Sequence, residues 1–101
     1  MYLQVNTYIV LDLNDVLGNL VLTPIEMFIL EKMYRQGYIG GKHTSADNIP
    51  KGLSVSTHGD AKKALKNLIR QGYVIPKTTS YGLQVSLNAK RIAEIKQILE
   101  T

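Results

Sequence analysis

One short pattern, met twice, fixes where two helices of this chain must stop. Ile29 to Ile39 ends in Arg35, Gln36, Gly37, Tyr38 and Ile39, and Ala64 to Val74 ends in Arg70, Gln71, Gly72, Tyr73 and Val74. A glycine behind an apolar helical run takes the left-handed conformation that closes a helix, and an apolar residue after it covers the last turn. Tyr38 and Tyr73 are therefore expected over Met33 and Leu68 as the apolar partners of two Schellman caps. The residues between the copies do not repeat, and a solenoid needs about three or more stacked repeats. Shared cap chemistry is the better reading.

Working back from each stop gives each start. Thr23, Pro24 and Glu26 form a capping box with proline at the first helical position, and Leu22 and Met27 are placed for a hydrophobic staple. A helix is predicted from Pro24 to about Gln36, burying Ile25, Phe28, Ile29 and Met33. The second helix starts at Ser56 or Thr57, with Thr57 and Asp60 as a cap pair. It turns Ala61, Ala64, Leu65, Leu68 and Ile69 to one face and His58, Lys62, Lys63, Lys66, Asn67 and Arg70 to the other. That second face carries four cations and no acid.

Between the two, Gly40 and Gly41 make a flexible connection. Thr44 or Ser45 then caps a short helix that Pro50 and Gly52 keep from extending, with Ala46, Ile49 and Leu53 buried. After Gly72 a hairpin is expected: Tyr73 to Lys77, a turn of Thr78, Thr79 and Ser80, then Tyr81 to Leu87 with Leu83, Val85 and Leu87 on one face. Asn88 caps a last helix to about Leu99, with Ile92, Ile95, Ile98 and Leu99 along its stripe. At the N-terminus, Leu3, Val5, Thr7, Ile9, Leu11 and Leu13 alternate with more polar residues, as in a half-buried strand, and a turn or short helix follows at Asn14 to Asn19.

Composition narrows the class. The 101 residues suit one domain, and 45% hydrophobic with 20% charged residues is an ordinary globular balance. Without Cys there is no disulfide, thiolate metal site or cysteine nucleophile, which fits an intracellular protein. No signal-peptide n-region opens the chain, and Asp12 interrupts its apolar stretch, so a cytoplasmic location without membrane insertion is expected. The net charge of +4 is unevenly spread: the four acids Asp12, Asp15, Glu26 and Glu31 precede every one of the 12 Lys and Arg, which all lie from Lys32 onward. A basic body behind an acidic first third suggests a polyanion on one face. A solvated surface of mixed charge explains the same composition.

The order helix, short helix, helix, hairpin, helix, with Lys51, Gly52, Leu53, Ser54, Val55, Ser56, Thr57 and then Ala64, Leu65, Leu68, Gly72, Tyr73, Val74, resembles the winged helix-turn-helix family. The resemblance spans about Thr23 to Leu87. It implies an α+β fold, a three-helix core plus a β-hairpin wing, with Ser45 to Lys51 as supporting helix and Thr57 to Gln71 as recognition helix. Residues 1–22 are then an N-terminal strand and turn extension, 23–87 the domain, and 88–101 a C-terminal helix on the core or at a dimer interface. Gly59 and Asp60 in the first turn of the recognition helix, and the short supporting helix before Pro50, depart from the family pattern.

The function this implies is duplex DNA binding by a small transcriptional regulator. Lys62, Lys63, Lys66 and Arg70 on one helical face would release condensed counterions from a duplex. Ser56, Thr57 and His58 sit where a phosphate or base edge is bonded. Lys77, Thr79 and Tyr81 would form the wing contact, and Lys42 and Lys51 would add phosphate contacts from the other side. RNA remains open, as does a protein-contact module in which the basic helix meets an acidic surface, and a homodimer through the N-terminal strand or C-terminal helix is possible. No metal-ligand spacing, Walker-type loop or nucleophile elbow occurs, so neither an enzyme nor a cofactor is expected.

Overall fold

The structure is a computed structural model, and it describes residues 22–100. The expected N-terminal strand, with Tyr2 and Tyr8 on its polar side, lies outside the described residues. Three helices, α1 (Pro24–Gln36), α2 (His58–Arg70) and α3 (Ile92–Glu100), surround an antiparallel sheet of β1 (Thr44–Ser45), β2 (Val74–Thr79) and β3 (Gly82–Leu87). The strands run in the order β1-β3-β2, so the chain is α+β with its helices packed on one small sheet.

Helix α1 starts as its capping box dictates. Thr23 Oγ1 accepts from the Glu26 N–H at 3.1 Å, and Glu26 Oε1 accepts from the Thr23 N–H at 3.0 Å. Both long helices end in the same way. The Gly37 and Gly72 N–H groups donate to Tyr34 O and Ile69 O, and the Tyr38 and Tyr73 N–H groups reach back to Met33 O and Leu68 O, each at 3.0 Å. The two glycines have φ of 75° and 84°, which completes two Schellman motifs.

Each cap aims the chain at the sheet. Beyond the first, Tyr38 O accepts from Leu87 N–H at 2.8 Å and Leu87 O accepts from Gly40 N–H at 3.0 Å, holding the connection to the end of β3. Thr44 then pairs with Val85 and Ser45 with Gln84. Beyond the second cap, β2 and β3 pair from Val74↔Leu87 out to Thr79↔Gly82. The core that results holds Ile29, Leu30 and Met33 of α1, Leu65 and Leu68 of α2, and Tyr73, Val74, Val85 and Leu87 around the sheet.

Three expectations are corrected. The supporting helix over Ser45 to Lys51 is only a 3-10 turn, Ala46–Asn48, capped by the Ser45 side chain on the Asp47 N–H. Pro50 offers no N–H and disfavours a helical residue before it, so the turn cannot propagate. The hairpin turn is Ser80 and Tyr81 alone, with Thr78 and Thr79 inside β2. Thr79 Oγ1 brackets it, accepting from the Tyr81 N–H at 3.1 Å and donating to Gly82 O at 2.9 Å. Thr57 precedes α2 but does not cap it, because its hydroxyl donates to Ser54 O at 2.8 Å.

Helix α3 follows a 3-10 turn, Ala89–Arg91, whose N-cap is Asn88. Ile95 and Ile98 are buried and Ile92 and Leu99 pack beside them, so the apolar stripe is used within the chain. Arg91 clamps this helix to the end of α2. Its guanidinium lies 4.1 Å from the Tyr73 ring centroid, bonds Glu94 through Nε (3.0 Å) and Nη2 (2.9 Å), and donates from Nη1 to Gln71 O. Tyr73 Oη donates to Glu94 at 3.1 Å, which closes the ring of contacts.

Two stability predictions follow from these contacts. Gly72→Val forces a branched side chain to φ 84° and puts its Cβ 3.0 Å from Arg91 Nη1, so a loss of about 1–3 kcal/mol is expected. A melting temperature equal to the wild type would mean that α2 does not depend on this cap. The Arg91 hydrogen bond and then that of Tyr73 hold the Glu94 carboxyl below its ordinary value of 4.5, against burial, which acts the other way. A lowered carboxylate contributes stability that is fully present above the unfolded value and is lost as pH falls through the folded one. Denaturant unfolding should weaken through and below pH 4.5, and Glu94→Gln should flatten that part of the profile; an unchanged slope would remove the carboxylate from the account.

Candidate nucleic-acid interface

Helix α2 is amphipathic because its apolar residues recur every three or four positions. Ala61, Ala64, Leu65 and Leu68 are buried, while Lys62, Lys63, Lys66 and Arg70 are exposed. Lys62, Lys66 and Arg70 follow one another at intervals of one turn, with Lys63 alongside. Among the described residues the ion pairs are Arg35–Glu31 and Arg91–Glu94, so none of these four cations has a carboxylate within 4.0 Å. Among the described residues their charge meets no ion pair, and exposed Asp60 in the first turn is the acid carried by the same helix. Asn67, expected beside them, is half-buried instead and donates to Glu26 Oε2 of α1 at 3.4 Å. The capping glutamate of the first helix thus ties down the second.

The turn that enters α2 sorts its polar residues differently from the sequence expectation. Thr57 is half-buried with its hydroxyl on Ser54 O, and His58 Nε2 stands 3.2 Å from Leu53 O. A carbonyl only accepts, so that contact keeps the ring proton on Nε2. Both side chains hold the turn together rather than reach outward. Exposed there are Ser54, Val55 and Ser56, with a 3.1 Å contact between the two serine hydroxyls. Val55 is 82% exposed and Gly59 in the next turn is open to solvent. In the sequence Val55 stands out only within the family-like stretch and Gly59 only as a departure from the family pattern, and neither reads there as a contact residue. Val55 belongs to the 3-10 turn Val55–Thr57 that leads into α2, and Gly59 to the first turn of α2.

On the hairpin, Tyr81 is 92% exposed at the tip and Lys77 is exposed on β2, directly opposite Gln84. Thr79 is spent on the turn. Strand alternation puts Lys77 on the face opposite to the buried Val85.

Lys42 and Lys51 belong to another place. Lys51 lines a cleft of about 300 Å³ between α1 and the 44–51 segment together with Gln36, Tyr38 and Asn48, and Lys42 Nζ lies 5.8 Å from the Tyr38 ring centroid. Lys32, which carried no sequence signal, organises this region. Its ammonium donates to Asn48 O (2.9 Å), Ile49 O (3.2 Å) and Lys51 O (2.6 Å) at and just beyond the interrupted 3-10 turn, where Asn48 O also accepts from the Lys51 N–H at 3.3 Å. Burial and then the nearby Lys51 push its pKa below the ordinary 10.5. With its three N–H groups on three carbonyls, Lys32 is a structural cation.

No group of three His, Cys, Asp or Glu side chains that could hold a metal ion occurs among the described residues. Among them, too, no helix is long and apolar enough to cross a membrane. No protein-family model, curated protein or solved structure matches the chain.

Replacing Lys32 with Ala should loosen the segment that leads into α2. Three carbonyls lose a charged donor, and with partial access to water the cost is about 1–2 kcal/mol. Urea unfolding should show a lower midpoint at unchanged slope, and an unchanged midpoint would show that water replaces the ammonium without cost.

Proposed function

We propose that this chain is a winged helix-turn-helix protein that binds duplex DNA as a small transcriptional regulator, with α2 as the recognition helix and the β2–β3 hairpin as the wing. The observation that carries the reading is the outer face of α2, where Lys62, Lys63, Lys66 and Arg70 stand exposed and, among the described residues, without carboxylate partners. A surface evolved only for solubility usually intersperses both signs. An unneutralised row matches the regular negative charge of a duplex and gains affinity by displacing its counterions. The arrangement of a helix, a two-residue strand, a short turn, a second helix and a hairpin, with strand order β1-β3-β2, supports the same reading.

Within it the residues divide by role. The four cations contact phosphate, Lys77 and Tyr81 follow the backbone beside the wing, and Ser56 lies nearest the base edges. Thr57, His58 and Thr79 shape the turns that present them. Lys51 in the wall of the α1 cleft and Lys42 beside the Tyr38 ring supply a peripheral positive field. A second reading, a protein-contact module, draws on Ile75 and Leu83, which are 44% and 41% exposed on the hairpin.

Salt separates these readings. For about four phosphate contacts, duplex affinity should fall roughly a hundredfold over about a fourfold rise in salt. Lys62→Glu with Lys66→Glu should leave the melting temperature near that of the wild type and lower affinity by roughly a hundredfold or more, since two attractions become repulsions. Gel-shift titrations of random duplex DNA and RNA measure both effects. Equal affinity of the wild type and the double variant would favour the protein-contact reading.

A further inference from the structure

Among the described residues nothing requires Gly59 to be glycine. Its φ is not positive, and a Cβ built on it meets nothing within 4 Å. In the first turn of a helix such a glycine costs about 0.5–1 kcal/mol relative to alanine. Glycine is favoured without a φ requirement where another molecule's surface must approach the backbone closely.

Val55, four residues earlier, presents the complementary oddity. It is 82% exposed, yet it sits in a well-tied turn in which the Thr57 N–H and hydroxyl both bond Ser54 O and the His58 N–H bonds Val55 O. An isolated exposed valine is ordinary. A valine turned outward by a hydrogen-bonded turn, four residues ahead of a bare glycine on a helix whose cations form no ion pair among the described residues, is a shaped surface.

Resting on the duplex-binding reading above, we propose that Val55, in the 3-10 turn before α2, and Gly59, in the first turn of α2, form a base-reading edge, with Val55 covering the C5-methyl group of a thymine in the major groove and Gly59 admitting the helix backbone against the base edges. Thymine is the one base that offers a methyl group in that groove, and apolar side chains recognise it by contact. The cations hold the helix in the groove but carry no sequence information. Exposed Ser56, next to Val55, supplies a hydroxyl for the O4 or N6 groups of the same A·T pair.

The test uses two duplexes of one length and sequence, alternating dA·dT and its deoxyuridine counterpart, which differ only in the C5-methyl groups. The wild type should bind the thymine duplex about fourfold more tightly, the worth of one buried methyl-sized group. Val55→Ser should bring that ratio to one while keeping the affinity for the deoxyuridine duplex. Gly59→Ala should raise the melting temperature and yet weaken binding to both duplexes, an opposition that a purely structural role cannot produce. A wild-type ratio of one overturns methyl reading by Val55, and unchanged affinity of Gly59→Ala overturns close approach. Absence of binding to either duplex at low salt would instead sink the duplex-binding reading itself.

Discussion

The architecture hangs on two chain reversals made by glycines in the left-handed conformation. At Gly37 the reversal delivers Tyr38 and Ile39 to the end of β3, and at Gly72 it delivers Tyr73 into the core and Val74 into β2. Each satisfies two helix carbonyls that would otherwise be orphaned near the core. The sheet assembles between the two exits, since β3 accepts the connection from the first helix on one side and β2 on the other. Asn88 joins the ends, with its N–H on Tyr73 O at 2.9 Å and its Nδ2 on Gly72 O at 2.9 Å. One cap thereby organises α2, the hairpin and the start of the last helix.

The face proposed for nucleic acid depends on this frame. Helix α2 presents its cations outward because Ala61, Ala64, Leu65 and Leu68 are pinned inward, and its rotation is fixed further by the Asn67–Glu26 contact and the Arg91 clamp behind Gln71. Its entry is set by a different device. The 46–51 segment does not form a full helix, and the Lys32 ammonium gathers the Asn48, Ile49 and Lys51 carbonyls. A buried or half-buried cation on carbonyls replaces the missing helical turn, so the Ser54 to Thr57 turn starts from a defined position.

Much of this was legible in residue order. The bounds of α1, the glycine stops, the apolar stripe of α2 and the cation row all follow from patterns spanning a few residues. The reading went astray wherever a polar side chain had to choose between solvent and a partner elsewhere in the chain. Thr57 and His58 look like outward donors at a helix start, but neighbouring carbonyls at Ser54 and Leu53 claim them. Lys42 and Lys51 count as cations in any charge map, yet folding sets Lys51 in the wall of the α1 cleft and Lys42 beside the Tyr38 ring. Val55 entered only as one residue of the family-like stretch, because nothing local marks a valine between serines as surface, and only its exposure in the folded chain sets it apart.

By itself the sequence determined the helix ends and the two-faced character of α2, because caps and amphipathic stripes are made by residues within about five positions of one another. The tertiary structure alone decided the strand order, the destination of Lys32, the inward turn of Asn67, and which residues at the head of α2 meet solvent. Those outcomes depend on carbonyls and carboxylates that come from distant positions in the chain. Local preference leaves several side-chain directions near in energy, and the partner that folding brings within bonding distance selects among them.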